Sequence, residues 1–503
     1  MPMRERQIVT ANMLRYLFLI GISMVLAVVG LMTDFLYPIG AILAILFLVY
    51  IIKRPFAGFL LYVMMVYLRP ADVMPVLATA KVQFLLLALL IVLWLFDQFI
   101  IRKEKVTIER LDYPMFAFLG AMGVSLISSF YLAESINFFD EFLRFMVFWV
   151  LASQVLKTER HLKQFIWVIV GCVAFVIAIQ IWTYLTIGLT RATGLGGYGI
   201  HIGPLNLDTE RSILGGGADE NVHGVGGYSA GFLANASELG LGVLVMLPFL
   251  YYLLPTLRSS WHRAMVVGLI ALFFASLVVC GARGAFVGVV AVLFVVFLRS
   301  RHKIAIALTL LIAFAVVVPL LPAQYIDRIA STANYEEDES ANIRLTLWTA
   351  GLHMLIDRPI LGVGVGCFNT AYGSKYRPAG SADLWWEPHN IFVQVSSEMG
   401  LVGLGIFVWL LVTIFLENRR SREMLAQLNE GKSFLYHFSY AIDLGLIGYI
   451  VSGCFITSLY FPHPYLMALL ARSTSVILRE RVAAIERHAA ILHPEMIPQT
   501  ETN

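Results

Sequence analysis

Fourteen apolar runs divide this chain, at 14–31, 35–52, 56–68, 82–101, 113–132, 142–156, 164–189, 236–256, 264–281, 284–298, 303–321, 391–416, 438–460 and 464–478. A helix needs about 20 apolar residues to cross a bilayer, and only helices or closed barrels satisfy their backbone there. Runs of this length and number leave one architecture, an all-α, polytopic transmembrane helical bundle. The runs at 56–68, 142–156 and 464–478 are short, so 12 to 14 crossings are expected. The first run follows a basic start with no cleavage-like small-residue site, and reads as a signal-anchor span. Charged residues make up only 14% of the chain, against roughly 25% in a soluble domain. The net charge of +3 gives no reason to expect a nucleic-acid partner. Cys172, Cys280, Cys367 and Cys454 lie far apart, without metal spacing or a disulfide framework.

Orientation follows from where the cations sit. With a cytoplasmic N-terminus, the inside segments and both tails, together with Arg15 and Arg472 in the adjoining first and last runs, hold 25 of the 36 Lys and Arg residues. That partition puts the loops at 190–235 and 322–390 outside and a tail at 479–503 inside. No internal repeat and no separate soluble domain interrupts the chain, so 1–503 reads as one membrane domain. The 190–235 loop is rich in glycine, which suits either close approach to a ligand or a plain linker. Its Gly194-Leu195-Gly196-Gly197 is not a nucleotide loop, since no strand precedes it and no Gly-Lys-Ser/Thr follows.

The 322–390 segment is the long polar interruption, and chemistry is expected there. Ile343, Leu347, Trp348, Leu352 and Leu355 recur at helical spacing, which predicts an amphipathic helix over 343–356, fit to lie in the headgroup plane. Arg344 and Trp348 share a face of it. A guanidinium grips phosphate oxygens in a fork; the alternative is that Arg344 snorkels to lipid phosphate. Arg283 stands among small residues in Gly281-Ala282-Arg283-Gly284-Ala285, at a helix start whose free N–H groups favour anions. The alternative is a turn with one surface charge. His389, beside Asn390 at the start of the 391–416 run, is placed for general-base work or for a plain interfacial role. Glu398, nine residues on at membrane depth, either orients the site with Asn390 or ties helices together. Asp443 reads as a structural hydrogen-bonding group. Trp385 and Trp386 suit sugar stacking or interfacial anchoring equally.

The order of these pieces resembles the O-antigen ligase and polymerase superfamily. It comprises Arg283-Gly284-Ala285 after a span, Asp327-Arg328-Ile329, Tyr335 through Ala341 with its acidic cluster, and Arg344 with Trp348. Arg358-Pro359, Gly362-Val363-Gly364, His389-Asn390, Glu398, Gly400-Leu401 and Gly403 complete it. The resemblance covers roughly 228–416, and its nearest subgroup is the O-glycosylation ligases associated with exosortase systems. It implies a GT-C-like enzyme of a bacterial inner membrane with a periplasmic active site. The implied donor is an undecaprenyl-diphosphate-linked glycan, and the implied acceptor a lipid, glycan or protein hydroxyl. Arg283, Arg344 and His389 match the family's outer arginines and loop histidine. Trp348, Asn390, Glu398, Trp385 and Trp386 are carried as substrate-binding candidates. A glycosyl diphosphate is already activated, so no cofactor or metal is expected. A polymerase of the same superfamily is the alternative, and a lipid-linked glycan transporter a third reading. Polar residues gathered at one boundary, not at midplane, argue against the transporter.

Overall fold

The computed structural model describes residues 46, 48–68, 70, 81–193, 201–202, 205–206, 236–280, 282–300, 303–304, 339–379 and 385–492. The expected spans at 14–31 and 303–321 and nearly all of the 190–235 loop lie outside the described residues. Among the described residues the chain is helical, apart from an antiparallel pairing of His201–Ile202 with Leu205–Asn206. It is a multi-pass membrane protein. Six described helices are long and apolar enough to cross a bilayer: Val82–Arg102, Glu159–Trp182, Ser237–Thr256, Ser260–Val278, Ile391–Gln427 and Phe434–Gly453. Shorter apolar helices cover Pro55–Leu68, Asp112–Ser128 and Gly284–Arg299.

The helices Pro55–Leu68 (α1) and Val82–Leu95 (α2) belong mainly to a small N-terminal unit. There Gly58 leaves room for Ile51 and Leu90 to pack directly on the backbone.

The larger unit holds everything else discussed below. Its helices are Asp112–Ser125 (α3), Leu132–Val155 (α4), Glu159–Thr193 (α5), Ala236–Leu253 (α6), Ser260–Cys280 (α7) and Arg283–Arg299 (α8). They continue with Glu339–Asp357 (α9), the single turn Phe368–Ala371 (α10), Ile391–Gln427 (α11), Phe434–Gly453 (α12) and His463–Leu492 (α13). At its centre Phe118 meets Phe142, Phe407 and Tyr465 with ring centroids 5.6, 5.9 and 5.7 Å away. Aromatic rings at this spacing add edge-to-face attraction to simple burial.

Three boundaries differ from the sequence reading, each for a physical reason. Helix α4 starts at Leu132, ten residues before the apolar run, because Leu132, Ile136, Phe138 and Phe139 already supply apolar side chains at helical spacing among the polar ones. Helix α12 ends at Gly453, and residues 454–462 turn away where the run was expected to continue to 460. Helix α13 runs unbroken through residue 492, past the expected tail boundary at 479, held by ion pairs along its polar face.

Those ion pairs gather at one end of the bundle. Arg472, fully buried, pairs with Asp112 at 2.6 Å and donates to the Ser153 carbonyl at 2.7 Å. Arg479 reaches Glu109 at 2.6 Å, and Arg481 bridges Glu430 and Glu159 at 2.6 and 3.0 Å. Glu417 holds Arg420 at 2.6 Å and accepts from Ser475 at 3.1 Å. Asp443 takes Arg422 at 2.7 Å and Asn418 at 2.8 Å, the structural role expected of it. The basic segments grouped on one side by charge counting (102–110 in part, 157–163, 419–432 and 472–487) thus contribute to one polar layer.

Candidate active site

The opposite end of helix α11 carries the candidate site residues. Asn390 is its N-cap: the side-chain oxygen accepts from Phe392 N–H at 2.9 Å and Val393 N–H at 3.2 Å. Capping fixes where the chain leaves the helix, and so fixes His389 immediately before it. His389 adopts a left-handed backbone, φ 49°, uncommon for a residue with a Cβ. Two contacts hold this segment. The His389 N–H donates to Thr457 Oγ1 at 2.9 Å, and the Trp348 indole N–H donates to the Pro388 carbonyl at 2.9 Å.

Trp348 sits on α9, one turn after Arg344, so the indole anchor delivers Arg344 to the same place. The charge of Arg344 is felt at the His389 ring. Helix α9 covers more than the expected 343–356, and its buried stripe is Ile343, Leu347, Ala350 and Met354. That stripe packs on Val363, Phe368 and Tyr372, with Gly351 close against Val393. Leu352, expected on the same apolar face as Leu347, is 54% exposed and aligns with exposed Leu345 and Ile356, with exposed Ile360 just past the helix end. The helix has protein on one side and a second apolar stripe on the other.

Beneath this helix, α11 is broken. Gly400 has φ 64° and ψ −162°, a region open in practice only to glycine, and a Cβ there would stand 2.3 Å from the Ile360 carbonyl oxygen. The break frees backbone groups, and the strip 359–366 takes them up. Val363 N–H donates to Ser397 O at 2.8 Å, Gly364 N–H to Glu398 O at 3.0 Å, and Leu401 N–H to Pro359 O at 2.8 Å. The other edge of the strip is held by the turn between α3 and α4. Phe130 N–H donates to Val363 O at 2.6 Å, Ser135 to Val365 O at 2.7 Å, and Arg358 to Ser128 O. Non-helical backbone at membrane depth is tolerated where protein supplies its hydrogen bonds, and here it does.

Glu398 closes this arrangement. It is 2% exposed, and its carboxylate accepts from the Gly366 N–H at 2.9 Å and from the Tyr460 hydroxyl. The expectation that Glu398 and Asn390 orient His389 meets other partners for both: the amide caps a helix, and the carboxylate fastens the strip to the 454–462 connection.

That connection is the part of the site the sequence reading missed. Five contacts pin it. Leu459 N–H donates to Gln394 at 3.3 Å, and Tyr449 donates to Ser458 O at 3.1 Å. Tyr465 donates to Leu459 O at 2.7 Å, Tyr460 donates to Glu398, and Thr457 accepts from His389. Its first residues also touch the start of α8, where a Cβ on Gly284 would stand 3.0 Å from Phe455 Cβ. The connection thus links the backbone following Arg283 with His389. The side chain of Arg283 lies outside the described residues. A signal existed: Thr457 through Pro464 reads Thr-Ser-Leu-Tyr-Phe-Pro-His-Pro, polar, aromatic and proline-rich between two apolar runs.

The tryptophan pair divides. Trp386 packs on the core under α9, while Trp385, 56% exposed, lies across Gly373. Among the described residues no group of three His, Cys, Asp or Glu side chains gathers to hold a metal ion.

Burial, aided by the positive charge of Arg344, pushes the His389 imidazole down to about 4. The ring is therefore neutral near pH 7, with a lone pair to offer. Two residues away, Glu387 reaches solvent, yet the surrounding protein still raises its carboxyl, opposed by a hydrogen bond from Thr457. The charge of Arg344 thus reaches a neutral imidazole, and a carboxyl stands two residues before that ring in the chain.

Residues 268–408 match the family model described as O-antigen ligase. The match takes in Arg283, Arg344, His389 and Glu398 and ends before the 454–462 connection. No curated protein matches the chain.

Proposed function

We propose that the O-antigen ligase domain at 268–408 moves a glycan from a polyprenyl diphosphate to an acceptor hydroxyl, on the periplasmic side of a bacterial inner membrane. A multi-pass chain with this domain is a glycan-transferring, ligase-like membrane protein; the diphosphate donor, the acceptor and the side are our reading. The observation that carries it is a half-buried His389, fixed next to the N-cap of helix α11 and within reach of the Arg344 charge.

The chemistry follows from the groups present. The acceptor oxygen attacks the anomeric carbon, and the bond from that carbon to the phosphate oxygen breaks. The electron pair leaves on the polyprenyl diphosphate, whose growing charge Arg344, with Arg283, offsets. The acceptor proton passes to the free ring nitrogen of His389. Trp348 holds α9 and the His389 segment in register while this happens. The exposed stripe Leu345, Leu352, Ile356 and Ile360 suits a helix lying at the lipid surface, where a polyprenyl tail is available sideways. Trp385 lies at the lip, open to a sugar ring.

The test uses the purified chain in lipid nanodiscs, given a polyprenyl-diphosphate-linked glycan and candidate acceptors. Transfer of the intact glycan to a non-prenylated acceptor is expected, with release of polyprenyl diphosphate. Chain growth on a second lipid-linked unit would make it a polymerase. Movement of the donor between leaflets without bond cleavage would replace the enzyme reading with transport.

A further inference from the structure

We infer that Thr457 is a positioning residue of this site, its hydroxyl joining the His389 backbone to the Glu387 side chain. The inference rests on reading His389 as the proton acceptor, and goes beyond it by adding an element from outside the matched domain.

The direction of each hydrogen bond follows from proton inventory. A backbone N–H can only donate, so the Thr457 oxygen accepts from His389, at 2.9 Å. The single hydroxyl proton then remains for an acceptor, and the Glu387 carboxylate, whose titration Thr457 lowers, is the acceptor we infer. The two bonds fix the residues on either side of Pro388, whose carbonyl is itself held by Trp348. A left-handed backbone at His389 has an intrinsic cost, so something must over-determine it. Thr457 is suited to this. Its β-branched side chain has few rotamers, and it stands on a connection pinned at Ser458, Leu459 and Tyr460. The ionisable groups around it are Arg344, which acts on His389, and Glu398, which feels the charge of Glu387. Were the hydroxyl lost, the His389 amide would be left without its acceptor and Glu387 without its donor. The backbone would then relax towards an ordinary conformation, and the ring would move with it.

The experiment compares Thr457→Val, Thr457→Ser and His389→Ala in the nanodisc transfer assay, with the thermal midpoint of each variant measured alongside. Valine keeps the shape and removes the hydroxyl. A kcat lower by about 10- to 100-fold is expected, since misplacement of a reacting group by an ångström has this effect. Donor KM should change by less than about twofold and the midpoint should hold, because the arginines still bind. Serine should restore kcat to within about threefold. Wild-type kcat in Thr457→Val overturns the inference. So does equal damage in Thr457→Ser, or a fall in midpoint with a raised KM, either of which marks a packing role. If His389→Ala is inactive while Thr457→Val is normal, only the role of Thr457 falls. If His389→Ala retains full transfer, the reading of His389 falls and takes this inference with it.

Discussion

The Arg344 charge disfavours protonation of His389, and that makes the pair measurable. The imidazole is held at about 4 in the free protein by burial and then by Arg344. A depressed pKa means the base is already unprotonated above that value, so kcat/KM should rise with pH through about 4 and level off above 5–6. Two donor phosphates on Arg344 would cancel its positive field. The kcat profile should therefore have its acid limb at higher pH, towards the ordinary histidine value near 6.5. Activity that falls as pH rises through either limb would make the ring a cationic ligand and not a base. Arg344→Ala should slow transfer by roughly 30- to 1000-fold, and should also shift the kcat/KM limb upward, by less than the full depression because burial remains. Arg344→Lys keeps the charge but loses the fork, and should also impair transfer. An Arg344→Ala variant at full rate with an unmoved limb would leave the residue as a lipid-phosphate contact only.

Among elements, the break in α11 sets the site's floor. Gly400→Ala forces a side chain into a backbone region that excludes it and against the Ile360 carbonyl. A loss of about 3 kcal/mol is expected, read as a lower thermal midpoint in detergent. Gly405, on the same helix with nothing near its would-be Cβ, should tolerate alanine and serves as the control. An unchanged midpoint in Gly400→Ala would mean the break is not required. What the sequence revealed of this layer is instructive. Arg344, Trp348, His389 and Asn390 were legible because a polar residue at the edge of an apolar run is conspicuous. The helix over 343–356 was legible in period but not in phase. Leu352 and Leu355 match a helical stripe as well as Ala350 and Met354 do, and only the strip at 363–372 decides which stripe is buried. Glu398 was noticed and its partners were not, because Gly366 lies 32 residues and Tyr460 62 residues away. Thr457 was hidden inside an apolar run that in fact ends at Gly453, since nothing in composition says where such a helix stops.

For the whole molecule, sidedness is the decisive quantity. The polar layer at Glu109, Glu159, Glu417 and Arg479 and the site at His389 occupy opposite ends of α11. Ser374→Cys and Gln427→Cys place exposed thiols at these two ends. In intact spheroplasts an impermeant thiol reagent should label the first, above the wild-type background, and the second only after lysis. Ser421, on the same helix, would be a poor reporter because it is fully buried. Labelling in the reverse order would put His389 on the cytoplasmic side and remove the donor from its reach.

The buried pair of Asp112 and Arg472 has a consequence in time. The two residues are 360 positions apart, so the carboxylate is made long before its cation. At about 5–20 residues per second, roughly 20–70 s of synthesis separate them. In the folded chain Asp112 also accepts from the Glu109 N–H at 2.6 Å, a contact within one turn that needs no later segment. The bundle stays unlatched until α13 arrives and Arg472 takes its place. A ribosome that stalls before codon 472 therefore leaves a protein whose spans have entered the bilayer but whose last lock is missing.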